Sequence, residues 1–118
     1  MAVLRILVVE DDGLVAMTVE DLLDDLGCEV VGSAATVAQA LAWLDAGGTA
    51  DAALLDVKLG AEFVFPVAEA LAARGVAFAF TTGYGETPDP RFRDAPVVGK
   101  PIRRAQLEQV LRDFGHTV

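Results

Sequence analysis

Short apolar runs alternate with helical stripes along the whole chain, and that alternation restricts the fold more than any other feature. Val3 to Val9 is apolar except for Arg5, as in a strand buried on both faces. Residues 13–26 then carry Val15, Val19, Leu22, Leu23 and Leu26 at helical spacing and stop at Gly27. Glu29 to Ala34 predicts a second strand. Thr36 predicts an N-cap for a helix with Val37, Ala40, Leu41 and Leu44 on one face, ended by Gly47 and Gly48. Ala52 to Asp56 predicts a third strand. After a glycine-containing loop, 63–74 predicts a helix with Pro66 in its first turn and Gly75 beyond its end. Val76 to Thr81 predicts a fourth strand and Val97 to Gly99 a fifth. Between them Gly83, Gly85, Pro88 and Pro90 leave room only for a short helix. A last helix over 103–114 turns Leu107, Val110, Leu111 and Phe114 inward. Five strand-plus-helix units of about 24 residues fill the 118 residues. That order demands right-handed crossovers and a parallel sheet covered on both faces. The whole of 1–118 is expected to be one domain.

Composition removes several function classes. Hydrophobic residues make up 53% of the chain, which excludes a disordered segment. Nine basic against 18 acidic residues give a net charge of −9, so nucleic-acid backbones and anionic membranes are repelled. The apolar run Ile6 to Val9 is too short for a signal peptide or a membrane span. A single cysteine, Cys28, cannot form an internal disulfide, which fits a reducing, cytoplasmic setting. The only histidine, His116, is third from the end, so a histidine-based enzyme or zinc site is not expected.

In open α/β sheets, sites form at the carboxyl ends of the strands. There the sequence puts Glu10, Asp11 and Asp12 after the first strand, Asp56 after the third, Thr81 and Thr82 after the fourth, and Lys100-Pro101 after the fifth. The second strand ends in Ser33-Ala34 and offers little. Crowded carboxylates repel one another unless a hard divalent cation sits between them. Magnesium suits this set: it takes few protein carboxylates and pairs with phosphate. A lysine and a hydroxyl nearby can neutralise and hydrogen-bond phosphoryl oxygens. An aspartate beside such a cation can act as the nucleophile and form an acyl phosphate.

The segments ILVVEDD, LLDVKLG, FAFTTGYG and VGKP, in this order and spacing, strongly resemble the receiver domain of two-component response regulators. The likeness covers essentially the whole chain. The stretch EFVFPVAEALAARGVAFAFTTGYG further resembles single-domain receivers common in alphaproteobacteria, with a TGY motif after the fourth strand. The resemblance implies a flavodoxin-like, doubly wound five-stranded parallel sheet of order 2-1-3-4-5 with about five helices and no output domain in this chain. It implies that Asp56 is the phosphoacceptor and that Glu10 and Asp11 form the acidic pair, Asp11 being the better placed as direct metal ligand. Lys58 would lend its backbone carbonyl to the metal, a magnesium ion. Thr82 fits the switch hydroxyl better than Thr81, and Lys100 fits the family's lysine, with a cis bond to Pro101. The partners implied are a sensor histidine kinase or phosphotransfer protein and a further downstream protein. Such a chain is a phosphoacceptor that promotes its own phosphorylation and dephosphorylation, not an enzyme with a separate substrate. It would signal as relay, phosphate sink or stand-alone regulator.

Three departures bear on the switch. Val97 stands where receivers carry an aromatic residue, three before the lysine. Tyr84 is the nearest aromatic that could replace it, and the breakers Gly83, Gly85, Pro88 and Pro90 make 83–95 the expected mobile segment. Gly60 stands where a proline is common, and Lys58 adds a cation that can pair with Glu10 or screen a phosphoryl group. Val97 also keeps a second reading open, a phosphorylation-independent adaptor on the same fold. Leu14 and Met17 lie off the helical stripe and read either as single exposed residues or as a spot that meets a partner's helices. Trp43 reads as half-exposed packing and Cys28 as structural.

Overall fold

The computed structural model describes residues 3–83 and 88–115. Five parallel strands build one sheet: β1 (Arg5–Val9), β2 (Glu29–Ala34), β3 (Ala52–Asp56), β6 (Ala77–Thr82) and β7 (Val97–Gly99). Their spatial order is β2-β1-β3-β6-β7, the doubly wound order expected. Between β3 and β6 lie two further two-residue strands, β4 (Lys58–Leu59) and β5 (Glu62–Phe63), paired antiparallel. The segment expected to be a plain glycine-containing loop is therefore a hairpin. It is too short to show a period-2 pattern, so only its Gly60-Ala61 turn could have betrayed it.

Four α-helices occur among the described residues: α1 (Gly13–Asp25), α2 (Val37–Asp45), α3 (Phe65–Ala73) and α4 (Arg104–Asp113). The expectation of about five is met by these four plus one 3₁₀ turn, Pro90–Phe92, at the place of the short breaker-rich helix. Local chemistry explains the helix starts. Asp12 caps α1, its carboxylate accepting from the Leu14 and Val15 amides at 2.9 and 3.2 Å. Thr36 caps α2 through the Gln39 amide at 3.1 Å, and Gln39 Oε1 reaches back past the cap to accept from the Ala35 amide at 2.8 Å. Glycines in left-handed conformation follow α1 at Gly27 and α3 at Gly75.

The sheet separates two cores. Leu7, Val9, Ala53, Leu55 and Phe80 face α2 and α3. Ile6, Val8, Ala52, Leu54, Ala79 and Val98 face α1 and α4. Five phenylalanines belong to the first side. Phe65 stacks on Phe63 and Phe92, and Phe78, Phe80 and Phe92 meet edge-on or tilted, with centroids 5.5–6.0 Å apart. Sequence periodicity does not reveal this cluster, because Phe92 comes from an irregular segment. Phe92 anchors the described part of the 83–95 stretch, and Arg91 beside it pairs with Glu69 of α3. Within the stretch expected to be mobile, Phe92 and Ala95 pack against the α2/α3 core, while Pro90, Arg91, Arg93 and Asp94 are exposed. Tyr84, the proposed replacement aromatic, lies outside the described residues.

Trp43 of α2 is half-buried, as expected, and lies over two glycines. A Cβ on Gly32 would come within 2.7 Å of its ring and one on Gly48 within 2.5 Å. Replacing Gly32 with alanine should therefore push the indole off β2, costing about 1–3 kcal/mol. Denaturant melts followed by fluorescence of this single tryptophan check it; an unchanged midpoint and emission maximum would show that α2 yields without strain.

Candidate functional site

Period-2 alternation carries four polar side chains to one place. On the α1/α4 face, Glu10 continues Val8, Asp56 continues Leu54, Thr81 continues Ala79, and Lys100 continues Val98. The register aligns them: Val9 lies beside Leu55, and Asp56 beside Thr81. Glu10 and Asp56 are buried, 5% and 2% exposed, in water-poor surroundings where unpaired charge is costly. Lys100 Nζ bridges them, 2.8 Å from Glu10 Oε1 and 3.1 Å from Asp56 Oδ2. Glu10 Oε2 also accepts from the Asp12 amide at 3.1 Å, so both its oxygens are engaged. Asp11, exposed, accepts from the Gly60 amide at 2.8 Å through Oδ2. Carboxylate oxygens of Glu10, Asp11 and Asp56 lie within 4.8 Å of one another. The Lys100-Pro101 bond is cis, as the resemblance implies.

One lysine does not balance three acids. Burial, then hydrogen bonding and Coulomb repulsion from Glu10, push the Asp56 carboxyl up to about 7; Lys100 opposes this only in part. Burial would lower the Lys100 ammonium, but hydrogen bonds and attraction from Glu10 and Asp56 outweigh it and raise it. Burial also pulls the Asp11 carboxyl upward, yet hydrogen bonds to it, including that from Gly60, leave it below its ordinary value. Asp56 Oδ1 is the one buried side-chain oxygen among the described residues without a hydrogen-bond partner. An orphaned carboxylate oxygen beside two further acids fits a hard divalent cation with oxygen ligands.

Lys58 does not pair with Glu10, as its sequence position suggested: its side chain is exposed and forms no ion pair among the described residues. Its position in the hairpin governs its backbone instead. Val57 accepts from the Val64 amide at 2.9 Å, and Leu59 faces Glu62 across the two-residue turn. Hydrogen-bonded and non-hydrogen-bonded pairs alternate, so Lys58, opposite Phe63, turns its carbonyl out of the hairpin. Thr81 and Thr82 are both buried. Thr81 shares the face of Asp56, whereas Thr82 continues Phe80 on the opposite face, beside Gly99, and its carbonyl accepts from the Lys100 amide at 2.7 Å. Val97, half exposed, shares that second face, since it lies opposite Phe80.

Beside the acids, an apolar groove of about 250 Å³ runs between α1 and the segment after β7. Leu14, Val15, Thr18, Val19, Pro101 and Ile102 line it with Lys100 at its rim. Leu14 on its lining is 73% exposed, and Met17, three residues further along α1, 59%, far more than core residues at helical spacing would be.

No protein-family model matches the chain. It is 31% identical over 115 residues to the phyllosphere-induced regulator PhyR of Methylorubrum extorquens, covering 91% of this chain and 42% of that protein. It therefore spans less than half the length of the curated relative it matches. The solution structure of SdrG from Sphingomonas melonis Fr1 is 45% identical with a TM-score of 0.87, covering 98% of this chain and 100% of that one. The PhyR response regulator REC domain of Erythrobacter litoralis is 26% identical with a TM-score of 0.81, covering 97% and 91%. Likeness of this extent, on a fold whose strand ends assemble the acids and the lysine, makes the chain a member of the receiver-domain family of two-component response regulators.

Proposed function

We propose that Asp56 accepts a phosphoryl group from a kinase or phosphotransfer-protein phosphohistidine, in a magnesium-dependent reaction. The chain would then signal through protein–protein contacts. The observation that carries this reading is Asp56 Oδ1, buried and unpartnered beside two acids and a lysine. An Asp56 oxygen attacks phosphorus in line, the P–N bond breaks, and its electron pair leaves with the imidazole nitrogen. Lys100, which holds Asp56 Oδ2 at rest, is placed to follow the charge onto the phosphoryl oxygens, which leaves Oδ2 to attack and Oδ1 to face the ion. Asp11, Asp56 and the Lys58 carbonyl would hold the ion, with Glu10 completing the acidic set. Magnesium, when bound, supplies the positive charge that the site lacks.

Thr81 and Thr82 both pair in the ladder, and at rest Thr81 shares the face of Asp56; Thr82, the last residue of β6, would reach the phosphoryl group by turning its hydroxyl over from the opposite face. Thr82 is the hydroxyl that secures the phosphoryl group. The groove beside Leu14 and Met17 takes the apolar face of a partner helix, which brings the donor histidine over Asp56.

A small phosphodonor with magnesium should add one phosphate to the chain, read by intact-mass spectrometry, and none to Asp56→Asn. Absent labelling of the wild type would favour the adaptor reading. Thr82→Ala should change the lifetime of the acyl phosphate severalfold, and Thr81→Ala mainly the melting temperature; the reverse pattern would move the switch hydroxyl to Thr81. The raised Asp56 carboxyl also predicts a pH effect. The folded chain holds a proton there that the unfolded chain, titrating near 3.8, has lost, so stability falls as pH rises from about 4 to 7. Between pH 5 and 8 the loss should be on the order of 2 kcal/mol by chemical denaturation without magnesium. Asp56→Asn should flatten that slope and stabilise the fold at pH 8.

A further inference from the structure

We infer that Gly60 is a positioning residue for the metal site, its amide holding Asp11 in the orientation that ligates the ion. This rests on the magnesium reading above. Gly60 is the first residue of the two-residue turn joining Leu59 to Glu62, with φ +61°. Ala61 has no positive φ, which gives the turn the sign pattern of type II′, where glycine is favoured first. Space does not demand glycine: a Cβ there would meet nothing within 4 Å. The turn leaves the Gly60 N–H outside the hairpin ladder, on the same outer edge of β4 as the Lys58 carbonyl. That N–H donates to Asp11 Oδ2 at 2.8 Å, across 49 residues of sequence.

Three features make this contact more than a surface hydrogen bond. Asp11 is the exposed member of the acidic set, so no packing restrains its side chain. Once Asp56 is ionised, as metal binding requires, it and Glu10 would drive a free Asp11 carboxylate outward; the amide holds it against that repulsion. Occupying Oδ2 leaves Oδ1 for the ion. The same short edge thus offers two backbone groups, one for the metal and one for its ligand, and both depend on the hairpin. Outer-shell partners of this kind change metal affinity by about 10- to 100-fold when removed.

The test uses the full chain and magnesium chloride alone, with affinity from calorimetry and from amide NMR shifts. Asp11→Ala should weaken magnesium binding. Gly60→Pro, which removes the N–H, should weaken it about tenfold, and Gly60→Asn, which keeps the N–H and tolerates positive φ, should bind near the wild-type level. In an Asp11→Ala background Gly60→Pro should cost less than in the wild type, only what the distorted turn takes from the Lys58 carbonyl. Because proline also distorts the turn, the wild-type hairpin supplies a second reading: Asp11→Ala should shift the Gly60 amide proton upfield as its acceptor is lost. Full affinity in Gly60→Pro, an equal loss in both backgrounds, or an unmoved Gly60 amide overturns the inference. Magnesium binding that ignores Asp11→Ala would instead overturn the metal reading, and the positioning role with it.

Discussion

Three carboxylates share one end of the sheet with a single lysine, and the arrangement of the site follows from that imbalance. Lys100 spans Glu10 and Asp56 and so ties the strand-one and strand-three ends to the segment after β7. Burial, and the Glu10 charge that Lys100 offsets only in part, raise the Asp56 carboxyl and leave one buried oxygen of it unpartnered. A fold selected for stability alone would have no reason to bury Asp56 this way, since an apolar residue there would cost less. The excess negative charge suits a hard divalent cation, as the proposed phosphoryl chemistry would use.

The sheet keeps two kinds of chemistry apart. Its α1/α4 face ends in the acids, Thr81 and Lys100, whereas the α2/α3 face ends in Thr82 and the phenylalanine cluster. The β4–β5 hairpin is where the two sides meet. Gly60 touches Asp11, while Phe63, two residues after the turn, stacks on Phe65. Phe65 in turn stacks on Phe92, so the segment that Val97 leaves without an aromatic partner is packed through its own phenylalanine. Any rearrangement at the acids that moved the hairpin would be felt along these rings, because close-packed aromatic contacts tolerate little displacement.

Much of the fold was legible because its signals are local. The apolar runs at Ile6–Val9 and Ala52–Asp56 read as strands because both faces are buried. Thr36 and Gly27 mark helix ends through hydrogen bonds or backbone angles confined to a few residues. The sites at Glu10, Asp11, Asp56 and Lys100 were legible for a related reason: strand ends in a doubly wound sheet converge, so their positions in the chain imply a common place. The hairpin, the pairing of Lys100 rather than Lys58 with Glu10, and the anchoring of Phe92 were not legible. Each depends on which of several chemically suitable partners comes within reach.

For this protein the sequence by itself determined the five parallel strands, the family, and the set of acids, hydroxyls and lysine at one sheet edge. These follow from periodicity, from caps and from the order of motifs, all of which are written along the chain. Only the tertiary structure decided that Thr81 rather than Thr82 shares the face of Asp56, since one residue of register exchanges the two faces. It alone decided that a glycine amide 49 residues away holds Asp11. Backbone donors carry no side-chain identity, so nothing in the order of amino acids announces where an N–H will point until the turn that aims it has formed.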